Sequence, residues 1–320
     1  MKISNEQLLN YFSSYIYYEE TDGYIFPKRF TKKQEEILIN RGFGPKQNAT
    51  ASMFVEFITD ATEITFDYFV CPGSSKECFN IDVLEDGINT FNYHHEDSNE
   101  KGIMTINLEK TGKKKVTIYF PNLAGIGIKN FQINGMIEKY GRNKKFLALG
   151  DSITQGYVTK HPFLTYINIF AKELDAYVLN QSIGGDVFFD GNLDENLPFD
   201  PDFITVAYGT NDWSKQLNVK ENADKYFKKL RKIYANKQIF ALLPIFRGGI
   251  KGDIRNGYSL EDIRAQITAC AQRHNITVIN CIDFVPHHQD YYWDKTLHPN
   301  ELGFTFYASG LFEELNKHLL

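Results

Sequence analysis

The sequence predicts an all-β domain followed by an α/β domain whose parallel sheet is covered by helices on both sides. Between about residues 50 and 133, short segments alternate apolar and polar residues, which is typical of half-buried antiparallel strands. From Lys144 onward, unbroken apolar runs are separated by segments of helical periodicity, which is typical of parallel strands buried on both faces. The length of 320 residues, about twice that of a usual domain, agrees with this division. We expect the boundary near residues 134–143, which gives domains of residues 1–140 and 141–320.

The first domain is expected to be a β-sandwich or jelly roll. Its apolar residues recur at every second position in three segments, at Ile64, Phe66, Tyr68 and Val70, at Met104, Ile106 and Leu108, and at Val116, Ile118 and Phe120. Asp86-Gly87 separates two further segments and is a strong signal for a two-residue hairpin turn. Roughly six or more strands without an intervening helix predict two packed antiparallel sheets.

The second domain is expected to alternate strands and helices. Apolar runs predict its strands at residues 146–150, 176–181, 203–209, 239–245 and 276–282. Apolar residues at helical spacing predict helices over 219–234 and 260–270, the second opened by the capping pair Ser259 and Asp262. A last helix is expected after Pro299-Asn300. Because the loops at the carboxyl ends of parallel strands meet at one edge of the sheet, we expect a ligand site at that edge.

The charge balance and the first residues of the chain argue against several classes of partner. Lys and Arg total 35 against 40 for Asp and Glu, a net charge of −5, so we expect no nucleic-acid or anionic-membrane partner. The first 20 residues hold three acidic residues and no long apolar run, and no later stretch reaches membrane-spanning length. We therefore expect a cytoplasmic chain without a signal peptide or a transmembrane segment.

Neither the cysteines nor the adjacent histidine pairs predict a metal site. The chain has four cysteines, Cys71, Cys78, Cys270 and Cys281. They show neither Cys-x-x-Cys nor zinc-ligand spacing, and we expect them to be free thiols in the core. The side chains of the adjacent pairs His94-His95 and His287-His288 would point apart on a strand.

Four polar segments follow predicted strands or precede the last helix. They are GDSITQG (150–156), NQSIGGD (180–186), GTNDW (209–213) and DKTLHPN (294–300). Together they supply what acyl transfer from an ester needs. Ser152 can act as the nucleophile, His298 as its base, and Asp294, the nearest carboxylate, can orient the histidine. This chemistry needs no metal and no other cofactor.

The oxyanion that develops in such a reaction needs hydrogen-bond donors that are already in place. The candidates are the backbone amide of Ser152, a glycine amide of the second segment and the carboxamide of Asn211. We expect the other polar residues of the segments to brace these loops as helix caps and turn residues. They are Asp151, Asp186, Asp212 and Asn300.

The four segments resemble, in kind and in order, the sequence blocks of the SGNH (GDSL-type) serine hydrolases. The resemblance covers roughly residues 144–320 and implies a flavodoxin-like three-layer α/β/α sandwich. It also implies Ser152 as nucleophile, His298 as base, and an oxyanion hole formed by the Ser152 and Gly185 amides with the Asn211 side chain. The preceding β-domain resembles the jelly-roll module of two-domain bacterial carbohydrate esterases.

Two details of the segments bear on individual site residues. Gly185 is preferred over Gly184 because it directly precedes an acidic residue, as the family's glycine commonly does. The family usually places its catalytic Asp three residues before the His, where this chain has Lys295, and Asp294 lies four residues before. A loop can absorb one extra residue, so Asp294 is favoured. The alternative is a Ser-His dyad whose imidazole is oriented by a backbone carbonyl or by Asp290.

The candidates for substrate binding are Trp213, Trp293 and Arg247. Each tryptophan lies within two residues of a proposed catalytic residue and can wall the acyl site, stack on a sugar ring or pack in the core. The β-domain and the aromatic content favour a serine esterase that removes acetyl groups from a carbohydrate, with a small-molecule or oligosaccharide ester as substrate. The alternatives are a lysophospholipase, lipase or thioesterase of the same family, and a non-catalytic carbohydrate-binding protein.

Overall fold

The computed structural model describes residues 1–75, 79–95 and 100–319 of the chain. The sheets of the N-terminal part are antiparallel and end with a short strand at Lys139, whereas the sheet that begins at Lys144 is parallel. The fold class and the order of its two parts are therefore those predicted from the sequence.

Within the described residues, the N-terminal part forms two short helices and two β-sheets. The helices are α1 (Asn5–Leu9) and α2 (Lys32–Asn40). The strands are β1 (Phe12–Ser13), β2 (Tyr17–Thr21), β3 (Tyr24–Lys28), β4 (Phe54–Thr59), β5 (Glu63–Cys71), β6 (Phe79–Glu85), β7 (Ile88–His95), β8 (Lys101–Asn107), β9 (Lys114–Tyr119), β10 (Gly125–Ile133) and β11 (Glu138–Lys139). Each helix begins at a capping box, in which Ser4 or Thr31 exchanges hydrogen bonds with a glutamine three residues later.

Strands β3 to β10 form a jelly roll. One sheet has the order β3-β10-β5-β8 and is extended by β2, and the other has the order β4-β9-β6-β7 and is extended by β1, with β11 also paired to β4. The alternating residues of the sequence prediction, among them Phe66 and Ile106 of one sheet and Ile118 of the other, are buried in one core between the sheets. The predicted hairpin turn joins β6 to β7, and Asp86 and Gly87 have the left-handed φ values of 51° and 84° that such a turn needs.

The C-terminal part is a parallel sheet with helices on both faces. Its strands are β12 (Lys144–Gly150), β13 (Ala176–Asn180), β14 (Phe203–Ala207), β15 (Gln238–Leu242) and β16 (Thr277–Ile279). Its helices are α3 (Ser152–Gln155), α4 (Tyr166–Glu173), α5 (Thr210–Ser214), α6 (Val219–Ile233), α7 (Leu260–Arg273) and α8 (Glu301–Leu319). The sheet order β13-β12-β14-β15-β16 is the flavodoxin-like order, as the resemblance implied.

Two apolar clusters fix the three layers of this part. Helices α6 and α7 pack on one face of the sheet, and helices α4 and α8 pack on the other. The regular alternation of strand and helix fails once, because the connection over residues 181–202, all of them described, contains a single 3-10 turn (Asp190–Asn192) and no α-helix. Pro198 and Pro201 in this connection disfavour a helix.

The cysteine and membrane predictions can be compared with the described residues. Cys270 and Cys281 are buried thiols outside any disulfide, whereas Cys78 and the side chain of His95 lie outside what the structure describes. In the part that is described, every helix is too short or too polar to cross a membrane.

Candidate active site

The turn between β12 and α3 presents Ser152 at the carboxyl edge of the parallel sheet. Asp151 caps the helix, because its carboxylate accepts a hydrogen bond from the backbone N–H of Ile153 at 3.0 Å. Ser152 is 7% exposed, and its hydroxyl oxygen lies 2.9 Å from Nε2 of His298. The fold thus brings a serine and a histidine that are 146 residues apart within hydrogen-bond distance.

The segment before α8 orients His298 through Asp294. Oδ2 of Asp294 lies 2.7 Å from Nδ1 of His298. Oδ1 of the same carboxylate accepts hydrogen bonds from the backbone N–H groups of Thr296, Leu297 and His298, at 3.0, 2.7 and 3.1 Å. One carboxylate oxygen therefore shapes the loop while the other holds the imidazole.

The extra residue between Asp294 and His298 is accommodated by a left-handed backbone at Lys295, whose φ is 67°. This conformation costs a non-glycine residue about 1–2 kcal/mol, and the backbone hydrogen bonds to Asp294 offset that cost. The alternative orienter, Asp290, lies 3.5 Å from His288 instead, and its side chain is 68% exposed. Of the two aspartates considered from the sequence, the structure brings Asp294 to the histidine.

Burial and neighbouring charges set the protonation of the Asp294–His298 pair. Burial lowers the pKa of His298, and the charge of the Arg247 guanidinium lowers it further. The hydrogen bond and the charge of Asp294 raise the pKa but do not restore it, so it lies below the ordinary histidine value. Burial raises the pKa of Asp294, but hydrogen bonds from the loop's backbone N–H groups and from His298 outweigh it and lower the pKa to about 2. At neutral pH the imidazole is therefore neutral beside a carboxylate, which is the state a general base needs.

Two backbone N–H groups beside the serine hydroxyl lack an acceptor. Within residues 1–75, 79–95 and 100–319, neither the amide of Ser152 nor that of Gly185 donates a hydrogen bond to the protein, whereas Gly184 donates to Oε1 of Gln155 at 2.7 Å. The loop lies against the serine, because a Cβ on Gly184 would be 3.7 Å from Cβ of Ser152. Gly185 has a φ of 87°, a left-handed value that favours glycine. These contacts leave the amide of Gly185, and not that of Gly184, able to donate to an oxyanion.

Asn211 lies on α5, directly after β14, and is fixed between the first two loops. Its Nδ2 donates to the carbonyl oxygen of Asp186 at 3.1 Å and to Oδ2 of Asp151 at 3.3 Å. The carboxamide is therefore held beside both the serine turn and the loop that carries Gly185, where an oxyanion donor is needed.

The remaining polar residues of the four segments have structural contacts. The side chains of Asp151, Asp186, Asp212 and Asn300 accept hydrogen bonds from the backbone N–H groups of Ile153, Val187, Phe188 and Gly303, respectively. Burial raises the pKa of Asp151 and that of Asp212 to about 7. These contacts match the predicted roles of cap and turn residues.

A segment of the N-terminal part braces the glycine loop (residues 180–186). Arg29 is fully buried and donates to the carbonyl oxygens of Asn180 and Ser182 at 2.7 and 2.6 Å. Lys46 donates to a further carbonyl oxygen of the same loop at 2.8 Å. The sequence analysis missed both residues, because contacts between residues more than 130 positions apart leave no local pattern. Arg29 stands between Lys28 and Phe30, and nothing in that local sequence indicates its partners.

The three candidates for substrate binding occupy different environments. Trp213 is 1% exposed, its indole N–H donates to the carbonyl oxygen of Tyr258 at 3.0 Å, and it belongs to the core beneath the site. The prediction that Trp213 contacts substrate is therefore corrected to the packing alternative. Trp293 is 57% exposed, and its backbone N–H donates to the carbonyl oxygen of His298 at 2.8 Å. Arg247 is half-buried, and its Nη1 donates to Oγ of Ser214 at 2.6 Å.

The space beneath the serine turn is small. A cavity of about 20 Å³ is lined by residues that include Asp151, Thr210 and Leu297. That volume holds about one water molecule, and neither Ser152 nor His298 lines it. Among the described residues, no group of His, Cys, Asp and Glu side chains is arranged to hold a metal ion.

Comparisons with solved structures show the two-part fold in other proteins. A salicylyl-acyltransferase, SsfX3, from a tetracycline biosynthetic pathway is 17% identical, with a TM-score of 0.79 over 96% of this chain and 94% of that chain. An acetyl xylan esterase, Est2A, from the rumen bacterium Butyrivibrio proteoclasticus is 15% identical, with a TM-score of 0.66 over 100% of this chain and 98% of that chain. A family two carbohydrate esterase from Clostridium thermocellum in complex with cellohexaose is 16% identical, with a TM-score of 0.64 over 85% and 94%. At these identities the likeness establishes the fold.

Comparison by sequence gives the family. No curated protein matches the chain. Residues 148–305 match the model of the GDSL-like Lipase/Acylhydrolase family, and this range includes the serine turn, the glycine loop, Asn211 and the Asp294–His298 pair. Over residues 148–305, just under half of the chain, this match therefore confirms the resemblance to the GDSL-type hydrolases.

Proposed function

We propose that the protein is a serine esterase that removes acetyl groups from a carbohydrate through an acyl-enzyme on Ser152. The observation that carries this proposal is the chain of hydrogen bonds from Ser152 to His298 at 2.9 Å and from His298 to Asp294 at 2.7 Å. Beside it lie the amides of Ser152 and Gly185, which have no acceptor in the described part of the chain. A nucleophile, its base, an orienting carboxylate and oxyanion donors are the parts that ester hydrolysis requires.

In the acylation step, Oγ of Ser152 attacks the ester carbonyl carbon while its proton passes to Nε2 of His298. The carbonyl oxygen becomes an oxyanion, which the amides of Ser152 and Gly185 stabilise. Asn211 supplies the third donor by exchanging its longer hydrogen bond, 3.3 Å to Asp151, for one to the oxyanion. The intermediate collapses when the bond to the alcohol oxygen breaks and His298 returns the proton to that oxygen.

In the deacylation step, water takes the place of the alcohol. His298 accepts a proton from the water, whose oxygen attacks the acyl carbon of the acyl-serine. The second tetrahedral intermediate releases the carboxylic acid, and the proton returns through His298 to Oγ of Ser152. Asp294 stays ionised throughout, since its pKa of about 2 lies far below that of the imidazole.

The likeness to solved structures favours an acetyl group and a sugar alcohol. Structures with the same two-part fold include an acetyl xylan esterase and a family two carbohydrate esterase in complex with cellohexaose. A small-molecule or oligosaccharide acetate is therefore the substrate class that we propose.

The acyl preference is tested with p-nitrophenyl esters of increasing chain length. If the site is shaped for an acetyl group, as we propose, we expect kcat/KM to fall by about tenfold or more from acetate to octanoate, because such a site gains no binding from the added methylenes. An acetylated xylo-oligosaccharide should release acetate in the same preparation. A kcat/KM that rises with chain length would contradict the acetylesterase proposal and favour the lysophospholipase, lipase or thioesterase alternative. Hydrolysis of none of the esters would favour the non-catalytic alternative.

The pH dependence of kcat/KM should reflect the lowered pKa of His298. The reaction needs the neutral imidazole, so activity rises as pH rises through the pKa of His298 in the free enzyme. Since burial and Arg247 lower this pKa, we expect the midpoint of the acid limb below about 6.5, the ordinary histidine value. The measurement is kcat/KM for p-nitrophenyl acetate between about pH 4 and pH 8. A midpoint clearly above 6.5 would show that Asp294 dominates over burial.

A further inference from the structure

Cations without a paired carboxylate surround the serine. Lys46, Lys215 and Arg247 form no ion pair in the part of the chain that the structure describes. This contrasts with Arg41, which pairs with Asp186 at 2.8 Å. The chain as a whole is acidic, with a net charge of −5, so the cations at this edge are a local feature. The carboxylates of Asp186 and Asp294 act on Lys46 and Arg247 at longer range, and the cationic groups themselves remain able to attract an anion.

Two of these cations lie on the glycine loop. Lys46 donates to the carbonyl oxygen of Gly184 at 2.8 Å, and Lys215 donates to that of Gly185. Burial and the neighbouring Lys215 lower the pKa of Lys46, the charge of Asp186 raises it, and the result lies below the ordinary lysine value. The ring of Phe43 lies within 5.4 Å of Nζ of Lys46. This side of the site carries positive charge next to the proposed oxyanion hole.

Arg247 is the cation that is held most rigidly. Its Nη1 donates to Oγ of Ser214 at 2.6 Å and to Oγ1 of Thr210 at 3.3 Å, both on α5. Its guanidinium carbon lies 5.3 Å from the ring centre of Trp213, and that of Arg255 lies 4.4 Å from the same ring. Contacts to a helix and to a buried indole fix the plane of the Arg247 guanidinium before any ligand binds.

The open edge of the Arg247 guanidinium is the feature that indicates a ligand. Both hydrogens of Nη1 are used by the two hydroxyls on α5. Nε and Nη2 donate to no atom of the described residues. Neither atom is fully buried, so solvent reaches this edge of the guanidinium. Nε–H and Nη2–H together form the planar fork that binds a carboxylate through two parallel hydrogen bonds.

The position of Arg247 indicates which half of the ester it meets. The next residue, Gly248, donates its backbone N–H to the carbonyl oxygen of Thr296 at 2.8 Å, so the Arg247 loop packs on the loop that holds His298. His298 returns its proton to the alcohol oxygen, and the alcohol half therefore leaves on the imidazole side. A group on the alcohol is the one that can reach the open edge of Arg247.

We propose that the substrate is an acetate ester whose alcohol half carries a carboxylate, such as an acidic sugar, and that Nε and Nη2 of Arg247 bind this carboxylate. This inference rests on the proposed esterase function. Lys46 and Lys215 add a positive field that attracts the anionic ester but make no direct contact with its carboxylate. The preference for a charged alcohol is then a property of Arg247, and removing Arg247 removes it.

The test compares two aryl acetates, 4-acetoxybenzoate and its methyl ester, which lacks the negative charge on the alcohol half. Each kcat/KM is divided by the rate of that ester's hydrolysis by hydroxide, because the phenol of the methyl ester is the better leaving group. We expect wild-type kcat/KM to favour the carboxylate by about tenfold at low salt, since a charge-assisted hydrogen-bonded pair contributes that much. Arg247→Met should bring the ratio of the two values to about one, and Arg247→Lys, which keeps the charge without the fork, should retain part of it. The matched control is Arg273→Met, which should leave the ratio unchanged. Arg273 is an exposed arginine at the end of α7 and pairs with Asp224 of α6.

Each outcome of this test supports or overturns the inference. An equal ratio in wild type and Arg247→Met, or a wild-type preference for the methyl ester, overturns it while the esterase function stands. If the enzyme hydrolyses neither ester, the proposed function is overturned together with this inference.

A preference for p-nitrophenyl hemisuccinate over p-nitrophenyl acetate, without one for 4-acetoxybenzoate, would place the anion on the acyl half and overturn the assignment. If Arg247→Met does not fold, loss of the wild-type preference at high salt and the ratio in Arg247→Lys decide the question.

Discussion

We expect Asp294→Asn to lower kcat by about 10³–10⁴-fold while the fold is retained. The carboxamide oxygen of the variant can still accept the backbone hydrogen bonds of Thr296 and Leu297, now made by Oδ1 of Asp294 at 3.0 and 2.7 Å. The amide nitrogen, however, would face Nδ1 of His298 as a donor. The imidazole would then carry its hydrogen on Nε2, and in that tautomer it cannot accept the proton of Ser152.

The measurement is kcat for p-nitrophenyl acetate, with thermal unfolding followed by circular dichroism to show that the fold persists. Asp290→Asn is the matched control, because Asp290 is exposed, lies four residues closer to the N-terminus and contacts His288 rather than His298. It should keep activity close to that of wild type. Near wild-type turnover in Asp294→Asn, or a large loss in Asp290→Asn, would contradict the assignment of Asp294 as the orienting carboxylate.

The site residues that local sequence pattern could predict are those that stand at strand ends. Ser152 follows the first parallel strand directly, and Asn211 follows the third, so the prediction of a parallel sheet was enough to bring them to one edge. The spacing of Asp294 and His298 was less certain from the sequence, because a usable loop with one extra residue depends on the backbone of Lys295. A left-handed φ of 67° at a lysine is set by the surrounding hydrogen bonds and not by the preference of the residue itself.

The parts that the sequence could not predict depend on contacts between distant segments. The N-terminal part holds the glycine loop through the guanidinium of Arg29, whose partners Asn180 and Ser182 lie more than 150 residues away. Burial also lowers the pKa of Arg29 to about 9, a consequence of three-dimensional packing alone. Trp213 lies two residues after Asn211 in the sequence, but whether its ring faces the cleft or the core depends on contacts with distant residues such as Arg247 and Arg255.

Ser152→Ala should have the largest effect of any single substitution, a loss of about 10⁴-fold or more in kcat. The substitution removes the only atom that forms the acyl bond and leaves His298 without its 2.9 Å partner. The oxyanion donors remain, so a small residual rate above that of water is expected. Because Ser152 is a small side chain at the first position of α3, its hydroxyl contributes little to stability, and the variant should unfold at about the same temperature as wild type.

The central claim is that Ser152 becomes acylated, and the most direct test is to follow the reaction with p-nitrophenyl acetate in the first turnover. Wild type should release a burst of p-nitrophenol and gain the mass of one acetyl group, on the peptide that contains Ser152. Folded Ser152→Ala should show neither the burst nor the added mass. Acetylation at another residue, or equal steady-state hydrolysis by wild type and Ser152→Ala, would contradict a serine esterase built on Ser152, His298 and Asp294.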